Sequence, residues 1–441
     1  MKVLLINPDY GTGRRGAKRH HRAWPPLDLL SCAGLLRQGG HEPRLIDARA
    51  SGAKIEEIKA QAQEYDLVFL QSTPLDRWQC PDLNLGVLAD LASALPREKL
   101  VLGGAHGSAR PEYILDLTGA GTLVRGEPEM TLAALADSGG DPRGVPGTSY
   151  RSAGKIVHQP LPSQVVLDDV PPPAYDLVDL RSYRYELLGT RLALLETSRG
   201  CPFSCRFCLK TMYGPGVRKK TMGRVLTEVR AVLDQGARNV YFFDLEFTFD
   251  RARTLELCRG LSELKGNFSW CCQTRVDAVD LELLENMKAA GCRLIHFGIE
   301  TGNPGLLAAA GKKITLDQAE RALALCRKLK LPSACFFLLG LPGETRDMMR
   351  ATARLARELS PDYASFHPAA PYPGTAWGDL GRGREMFPTH LDEHSPDLLA
   401  REVGRAFRGF YLRPRYWLEL STRGGISGLL QKIGLFLEFI R

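Results

Sequence analysis

No stretch of the 441-residue chain reaches the ~18 consecutive apolar residues that a membrane span needs. The opening MKVLLINPDYG has one lysine and a strand-length apolar run but no small-residue cleavage site, which argues against a secretory signal. Low-complexity segments and repeats of fixed period are absent. Nucleic-acid binding calls for a basic stripe with interleaved aromatics. The chain offers only two short basic clusters, at Arg14–Arg22 and Arg218–Lys220. These absences predict a globular cytoplasmic protein with no nucleic-acid partner. The 58 basic against 50 acidic residues give +8, which is compatible with anionic ligands and requires none. The eleven cysteines are an odd number, and a reducing compartment speaks against a disulfide framework.

Residues 1–140 alternate strand and helix signatures. VLLI at 3–6 is a buried-strand run, and LDLLSCAGLLRQ follows at helical spacing until Gly39-Gly40 stops it. RLID, DLVFLQ, KLVLGG and TLVRG supply further strands. The pattern predicts a doubly wound, Rossmann- or flavodoxin-like α/β domain, whose ligand sits outside the carboxyl ends of the strands. Its candidate loops are Asn7–Trp24, Gln71–Pro74, Gly103–Ser108 and Arg125–Glu129. Residues 141–190, with GGDPRGVPG and DDVPPPAYDLVDL, read as a Pro- and Gly-rich linker with room for one hairpin. Over 191–385 the strand candidates LALLETS, NVYFFD, FSWCCQ, RLIHFGIE, SACFFLLG and DYASFH alternate with helices such as Met222–Gln235 and Leu316–Leu329. This predicts a partial (β/α)6 TIM barrel with its chemistry at the strand C-termini. Residues 386–441 read as a short helical extension.

The loop after the first barrel strand reads SRGCPFSCRFCLK, with Cys201, Cys205 and Cys208 spaced C-x3-C-x2-C. Thiolates hold iron–sulfur clusters, and a [4Fe–4S] cube takes four ligands. Three local cysteines leave one iron open to a small molecule with N and O donors. A zinc site, the alternative, wants four ligands in two pairs.

This run, with Phe207 before the last cysteine, resembles the signature of the radical S-adenosylmethionine (SAM) enzymes. The resemblance implies a [4Fe–4S] cluster on Cys201, Cys205 and Cys208, whose open iron chelates SAM and cleaves it to a 5′-deoxyadenosyl radical. It also implies an external electron donor of flavodoxin or ferredoxin type. Further positions follow from it. Asp244 and Glu246 in FFDLEF stand where the family carries Gly-Gly-Glu beside the methionine amino group, and which of the two makes the contact stays open. Glu300 in HFGIE ends the fourth strand, where a carboxylate holds ribose hydroxyls. Arg275 meets the SAM carboxylate or pairs with a nearby acid. Gly340 and Gly343 in FLLGLPGET let backbone approach adenine, although a plain turn explains them equally. PYPGTAW at Pro371–Trp377 resembles a substrate-side loop.

One branch of the family, which includes class B methylases and tetrapyrrole-cyclase-like and hopanoid-associated relatives, adds an N-terminal cobalamin-binding domain. INPDYG…WPPLDLLSCAGLLRQGGHEPRLIDA, LGGAHGSARPEYIL and VRGEPEM resemble its loops, which implies cobalamin near Gly104 and His106. None of the nine histidines stands in Asp-x-His-x-x-Gly, so cobalamin is expected without a lower histidine ligand. His106 is either a contact or a satisfied loop residue, and Trp24 and Trp78 either cover a corrin face or pack. Residues 1–150 hold only Cys32 and Cys80, and no cysteine follows Cys335, which excludes the methylthiotransferase pattern and auxiliary clusters. Cys271, Cys272 and Cys335 read as small buried strand residues.

In the tail, Leu429, Leu430, Ile433, Leu437 and Ile440 fall near helical spacing, with Lys432 and Arg441 at polar positions. This face either packs on the barrel or makes peripheral contact with the inner membrane surface. The reading is a cobalamin-dependent radical SAM methyltransferase acting on an unactivated carbon, or phosphorus, of a small-molecule substrate. The alternative keeps the cofactors and performs a cyclisation, rearrangement or oxidation. A non-catalytic cobalamin carrier has no use for the cysteine run, and an iron–sulfur electron carrier has none for the open iron.

Overall fold

The computed structural model describes residues 1–10, 23–81, 84–264, 266–378, 390–391, 393–414 and 416. The tail from 417 onward, on which the apolar face is expected, and the whole Arg14–Arg22 cluster lie outside the described residues. Apolar runs buried on both faces make parallel strands. β1 (Lys2–Asn7), β2 (Glu42–Asp47), β3 (Leu67–Gln71), β4 (Leu100–Gly103) and β5 (Thr122–Val124) are all parallel, in the spatial order β2-β1-β3-β4-β5. That is the flavodoxin-like doubly wound order.

The linker boundary needs correction. β6 (Thr148–Ser152) and β7 (Lys155–His158) continue the first sheet antiparallel to β5, so it has seven strands and runs past residue 140. The hairpin expected within 141–190 exists, but it extends the N-terminal domain rather than bridging two domains. Beyond it, the proline run packs on the N-terminal domain. Ala174 N donates to Leu30 O at 3.0 Å on the helix Leu27–Gln38.

A two-stranded ribbon follows, made by β8 (Arg184–Tyr185) and β9 (Gly189–Thr190). β10 (Leu192–Leu195) then opens the second sheet. β11 (Ser198–Gly200) and β12 (Val217–Lys219) pair antiparallel as a separate hairpin around residues 201–216. β13 (Asn239–Phe242), β14 (Ser269–Thr274), β15 (Cys292–Glu300), β16 (Ser333–Leu339) and β17 (Tyr363–Pro368) complete a six-stranded parallel sheet in sequence order. β10 and β17 do not pair, so the barrel is open, as a partial (β/α)6 barrel should be.

The two open edges are closed in the same way. Leu194 N donates to the Tyr175 hydroxyl at 2.9 Å, and that hydroxyl donates back to Leu194 O. On β17 the Tyr411 hydroxyl accepts from Ala364 N at 3.0 Å and donates to Ala364 O at 2.9 Å. Unpaired strand edges invite non-native pairing, and here one phenol satisfies two backbone groups on each edge. Tyr411 belongs to the helix Pro396–Tyr411, whose buried Leu399, Glu402, Ala406 and Phe410 form one stripe. The extension expected from residue 386 is therefore, where described, part of the barrel wall.

Candidate functional site

The carboxyl end of β10 feeds directly into the cysteine loop. Gly200 has φ +96°, and a Cβ there would collide with the Gly216 carbonyl, so the two ends of the loop close tightly only with glycine. The loop docks on the segment after the helix Pro304–Ala309, where Arg206 N donates to Ala310 O at 3.0 Å. Cys201, Cys205 and Cys208 are each partly exposed, whereas seven of the remaining eight thiols are buried. Burial pushes the Cys208 thiol up to about 12, with the Cys201 and Cys205 thiols adding to it, so the three stand within electrostatic reach of one another.

Among the described residues no three His, Cys, Asp or Glu side chains converge on a single ion. A cube takes its thiolates at separate corners, and three partly exposed thiols on one loop suit it.

FFDLEF resolves into two different carboxylates. Asp244 is fully buried and accepts from Thr197 N at 3.0 Å, Thr197 Oγ1 at 2.8 Å and Ser198 Oγ at 2.6 Å. It ties β13 to the strand leading into the cysteine loop. Glu246 accepts from Thr274 Oγ1 and from Arg275 N at 3.2 Å, and its charge acts on Cys201. Burial pushes the Glu246 carboxyl up, while Thr274 and Arg275 N oppose the shift.

Arg275 pairs with the nearby acid. Its Nε and Nη2 each lie 2.8 Å from Asp277, Nη1 donates to Lys312 O at 2.7 Å, and the guanidinium sits 3.9 Å over the Phe203 ring. Glu300 ends β15 at φ +69°, next to a register shift, and its Oε1 lies 2.7 Å from Lys312 Nζ. Burial alone would push the Lys312 ammonium down; Glu300, and then Cys205, outweigh it and hold it above the ordinary lysine value. Phe207 packs against Trp377 at 5.7 Å, with Lys312 Nζ 6.0 Å from its ring, which brings PYPGTAW to the cysteine loop.

Gly340 stands apart from this group. Its open side faces Leu399, and Gly340 N and Leu341 N donate to Glu344 at 2.6 and 3.0 Å. Burial raises the Glu344 carboxyl to about 7.

At the carboxyl edge of the first sheet, Gly104 has φ +105°, and a Cβ there would fall 2.6 Å from Ser72 Oγ. His106 is fully buried, with Nδ1 3.0 Å from Ser72 O and 2.9 Å from Thr73 Oγ1. It fastens the β3 and β4 loops together. Trp78 and Trp24 both pack. Trp78 donates to Thr73 O at 3.1 Å and meets Tyr213 of the cysteine loop edge-on at 5.3 Å, while Trp24 lies edge-on to Tyr185 of the β8 ribbon and Tyr241 of the barrel.

Buried polar atoms without a hydrogen-bond partner among the described residues include Gln71 Oε1, which faces Gly103 and Gly104, Gln79 Nε2, next to Trp78 in sequence, and Tyr213 Oη of the cysteine loop, whose ring meets Trp78. Such atoms are costly to leave unpaired. A corrin ring carries amides that both donate and accept, so this mixed set fits cobalamin.

Lys312, Arg199 and the acids of VRGEPEM were not singled out from the sequence. Two lysines after Gly311 between apolar segments, and a charge directly ahead of the cysteine run, are the signals that mark them.

The chain belongs to the cobalamin-binding radical SAM enzymes. Residues 195–356 match the radical SAM superfamily and residues 20–136 match the B12 binding domain. The family's cofactors are a [4Fe–4S] cluster, SAM and cobalamin. An uncharacterized methyltransferase of Pyrococcus horikoshii is 28% identical over 95% of this chain and 94% of its own length. The anaerobic magnesium-protoporphyrin IX monomethyl ester cyclase of Rubrivivax gelatinosus is 27% identical over 88% of this chain and 71% of its own. In fold, the chain is similar to the radical SAM methyltransferase TsrM from Kitasatospora setae, solved with cobalamin and a [4Fe–4S] cluster bound. The TM-score is 0.67 at 22% identity, covering 86% of this chain and 74% of that one.

Proposed function

We propose that this chain is a cobalamin-dependent methyltransferase that acts on an unactivated carbon, or phosphorus, of a small molecule. The observation that carries the reading is the placement of the partly exposed Cys201, Cys205 and Cys208 on a loop packed through Tyr213 against Trp78, at the carboxyl edge of the cobalamin-type sheet. Bound there, the cluster and SAM supply a 5′-deoxyadenosyl radical, and cobalamin supplies the methyl group.

The chain's own residues hold and shield. The three thiols ligate. Glu246 would receive the methionine ammonium, a role its charge beside Cys201 supports, whereas Asp244 already accepts three hydrogen bonds from Thr197 and Ser198. Glu300 and Lys312 present a paired carboxylate and ammonium to the polar parts of SAM. Phe207 and Trp377 exclude water from the loop. His106 holds the β3 and β4 loops in place and ligates nothing. Electrons come from an external flavodoxin- or ferredoxin-type donor. The location is cytoplasmic, in keeping with eleven free thiols. Among the described residues no helix is long and apolar enough to cross a membrane.

The test is anaerobic reconstitution with iron, sulfide and hydroxocobalamin, followed by desalting and reduction with methyl-labelled SAM. Stoichiometric cobalt, a reducible cluster signal and label retained with the corrinoid are expected. A cluster without retained cobalamin would sink the reading. Retained cobalamin with 5′-deoxyadenosine but no label transfer would favour the non-methylating chemistry that the cyclase relative suggests.

A further inference from the structure

Arg199 lies on β11, two residues before Cys201, and is 4% exposed. Its guanidinium reaches out of the barrel. Nη1 stands 3.0 Å from both Glu127 Oε2 and Glu129 Oε1 of the N-terminal domain, while Nη2 lies 2.8 Å from Glu196 Oε2 of its own domain. Arg218, on the paired strand β12, forks onto the same Glu127. β11 and β12 are the two ends of the cysteine loop, so both ends are tied to one glutamate pair of the other domain. Burial alone would push the Arg199 guanidinium down; Glu129, Glu196 and Glu127 outweigh it and keep it charged.

Such an arrangement is a poor source of net stability, because desolvation offsets the Coulombic gain. What it supplies is a fixed geometry, since an unseated arginine would leave buried carboxylates uncompensated. Glu127 and Glu129 sit in the loop after β5 and the first turn of the helix Pro128–Asp137. That is the carboxyl edge at which a sheet of this order takes its ligand.

We propose that Arg199 with Glu127 and Glu129 is a positioning clamp that couples the two cofactor sites. Occupancy of the N-terminal site seats the hairpin that carries the cysteine loop, and cluster loading in turn seats the glutamate loop. The coupling is reciprocal by thermodynamic necessity. The proposal rests on the cofactor assignments made above.

The test uses full-length protein under anaerobic conditions. Hydroxocobalamin is titrated into the unloaded and the cluster-loaded forms, and its affinity is read from visible absorbance. Amide hydrogen exchange over residues 198–219 is measured on the unloaded form, where no cofactor is needed. Wild type is expected to bind hydroxocobalamin roughly 5-fold or more tighter with the cluster in place. Glu129→Gln is expected to bring that ratio near unity and to speed exchange in 198–219. Arg199→Lys, which keeps the charge and loses the fork, gives an intermediate ratio and remains readable if the glutamine variant does not fold. A wild-type ratio near unity, or a full ratio with wild-type exchange in both variants, overturns the clamp and leaves the cofactor assignments standing. A wild type that takes up neither cluster nor cobalamin overturns those assignments and the clamp with them.

Discussion

The two parallel sheets furnish their carboxyl edges in opposite ways. At the edge of the N-terminal sheet the polar side chains are turned on the protein itself: His106 on the β3 loop, Gln71 on Asp28, Trp78 on Thr73. What this edge presents to a ligand is loop backbone and a few unmatched amide and phenol atoms. At the barrel edge the charges are paired with one another, as Glu300 with Lys312 and Arg275 with Asp277, near a loop of three thiols. The difference fits the occupant proposed for each edge. A cluster and a zwitterionic cofactor need fixed charges and ligands, whereas a large, amide-rimmed macrocycle needs surface and scattered hydrogen bonds. Sequence motifs are correspondingly sharp in one domain and diffuse in the other.

Removing a thiol breaks the barrel edge outright. Cys201→Ala, Cys205→Ala and Cys208→Ala should each cost most of the bound iron and lower SAM cleavage by roughly a thousandfold or more, about 4 kcal/mol of barrier. Cys271→Ala and Cys335→Ala, at buried strand positions, should retain the cluster signal in iron analysis and low-temperature EPR. Loss of the cluster in the latter pair would mean that the loop is not its site.

The Glu300–Lys312 pair tests whether the barrel edge depends on compensated charge. Lys312→Met leaves a buried carboxylate alone, and unfolding by denaturant should register a loss of about 3–5 kcal/mol. The double variant with Glu300→Gln should recover most of it, since the two sites act as one unit. Glu300→Gln alone should weaken SAM binding about tenfold in equilibrium dialysis. Independent, additive losses would show that the pair is not coupled.

The legibility of the sequence follows the same division. Strand and helix order is readable because strands such as Leu67–Gln71, Leu192–Leu195 and Asn239–Phe242 are short, fully buried runs and the longer helices repeat an apolar stripe; the helix expected over Leu316–Leu329 has those bounds. The cysteine run was readable because its three ligands are local. What escaped reading was pairing between distant segments. FFDLEF shows two acids with nothing to rank them, and the hydroxyls of Thr197 and Ser198 that bond Asp244 come from a segment almost fifty residues earlier. Arg275 was left between two partners, and Asp277 two residues away took it. Gly340 reads from sequence as either a cofactor approach or a plain turn, and what lies on its Cβ side, Leu399, is more than fifty positions along the chain. The hairpin at 148–158 lacked a sheet to join until β5 was in place.

Asp28 sharpens the comparison from the N-terminal side. Burial, with Glu129 adding to it, raises this carboxyl from an ordinary 3.8 to about 7. The folded protein therefore keeps a proton that the unfolded chain has released, and the stability this confers is fully present below the unfolded value and lost as pH rises toward 7. Asp28→Asn keeps an acceptor for Gln71 and removes the loss. The variant should be more stable than wild type by roughly 2–4 kcal/mol at pH 8, with the advantage vanishing near pH 4. Denaturant titrations at the two pH values decide it, and a pH-independent difference would place the proton elsewhere.

The smallest expected effect is the most discriminating for the cobalamin edge. His106 holds Ser72 O and Thr73 Oγ1, so His106→Leu leaves a buried carbonyl short of a donor, at a cost of about 1–3 kcal/mol. If its work is confined to fastening the β3 and β4 loops, the absorption spectrum of bound hydroxocobalamin should be the same in variant and wild type, and only affinity should fall, by a few fold. A nitrogen ligand to cobalt changes that spectrum, so a shift between the two proteins would make His106 a lower ligand. This edge would then resemble the barrel edge, with a side chain committed to the metal, and the contrast between the two sheets would fail.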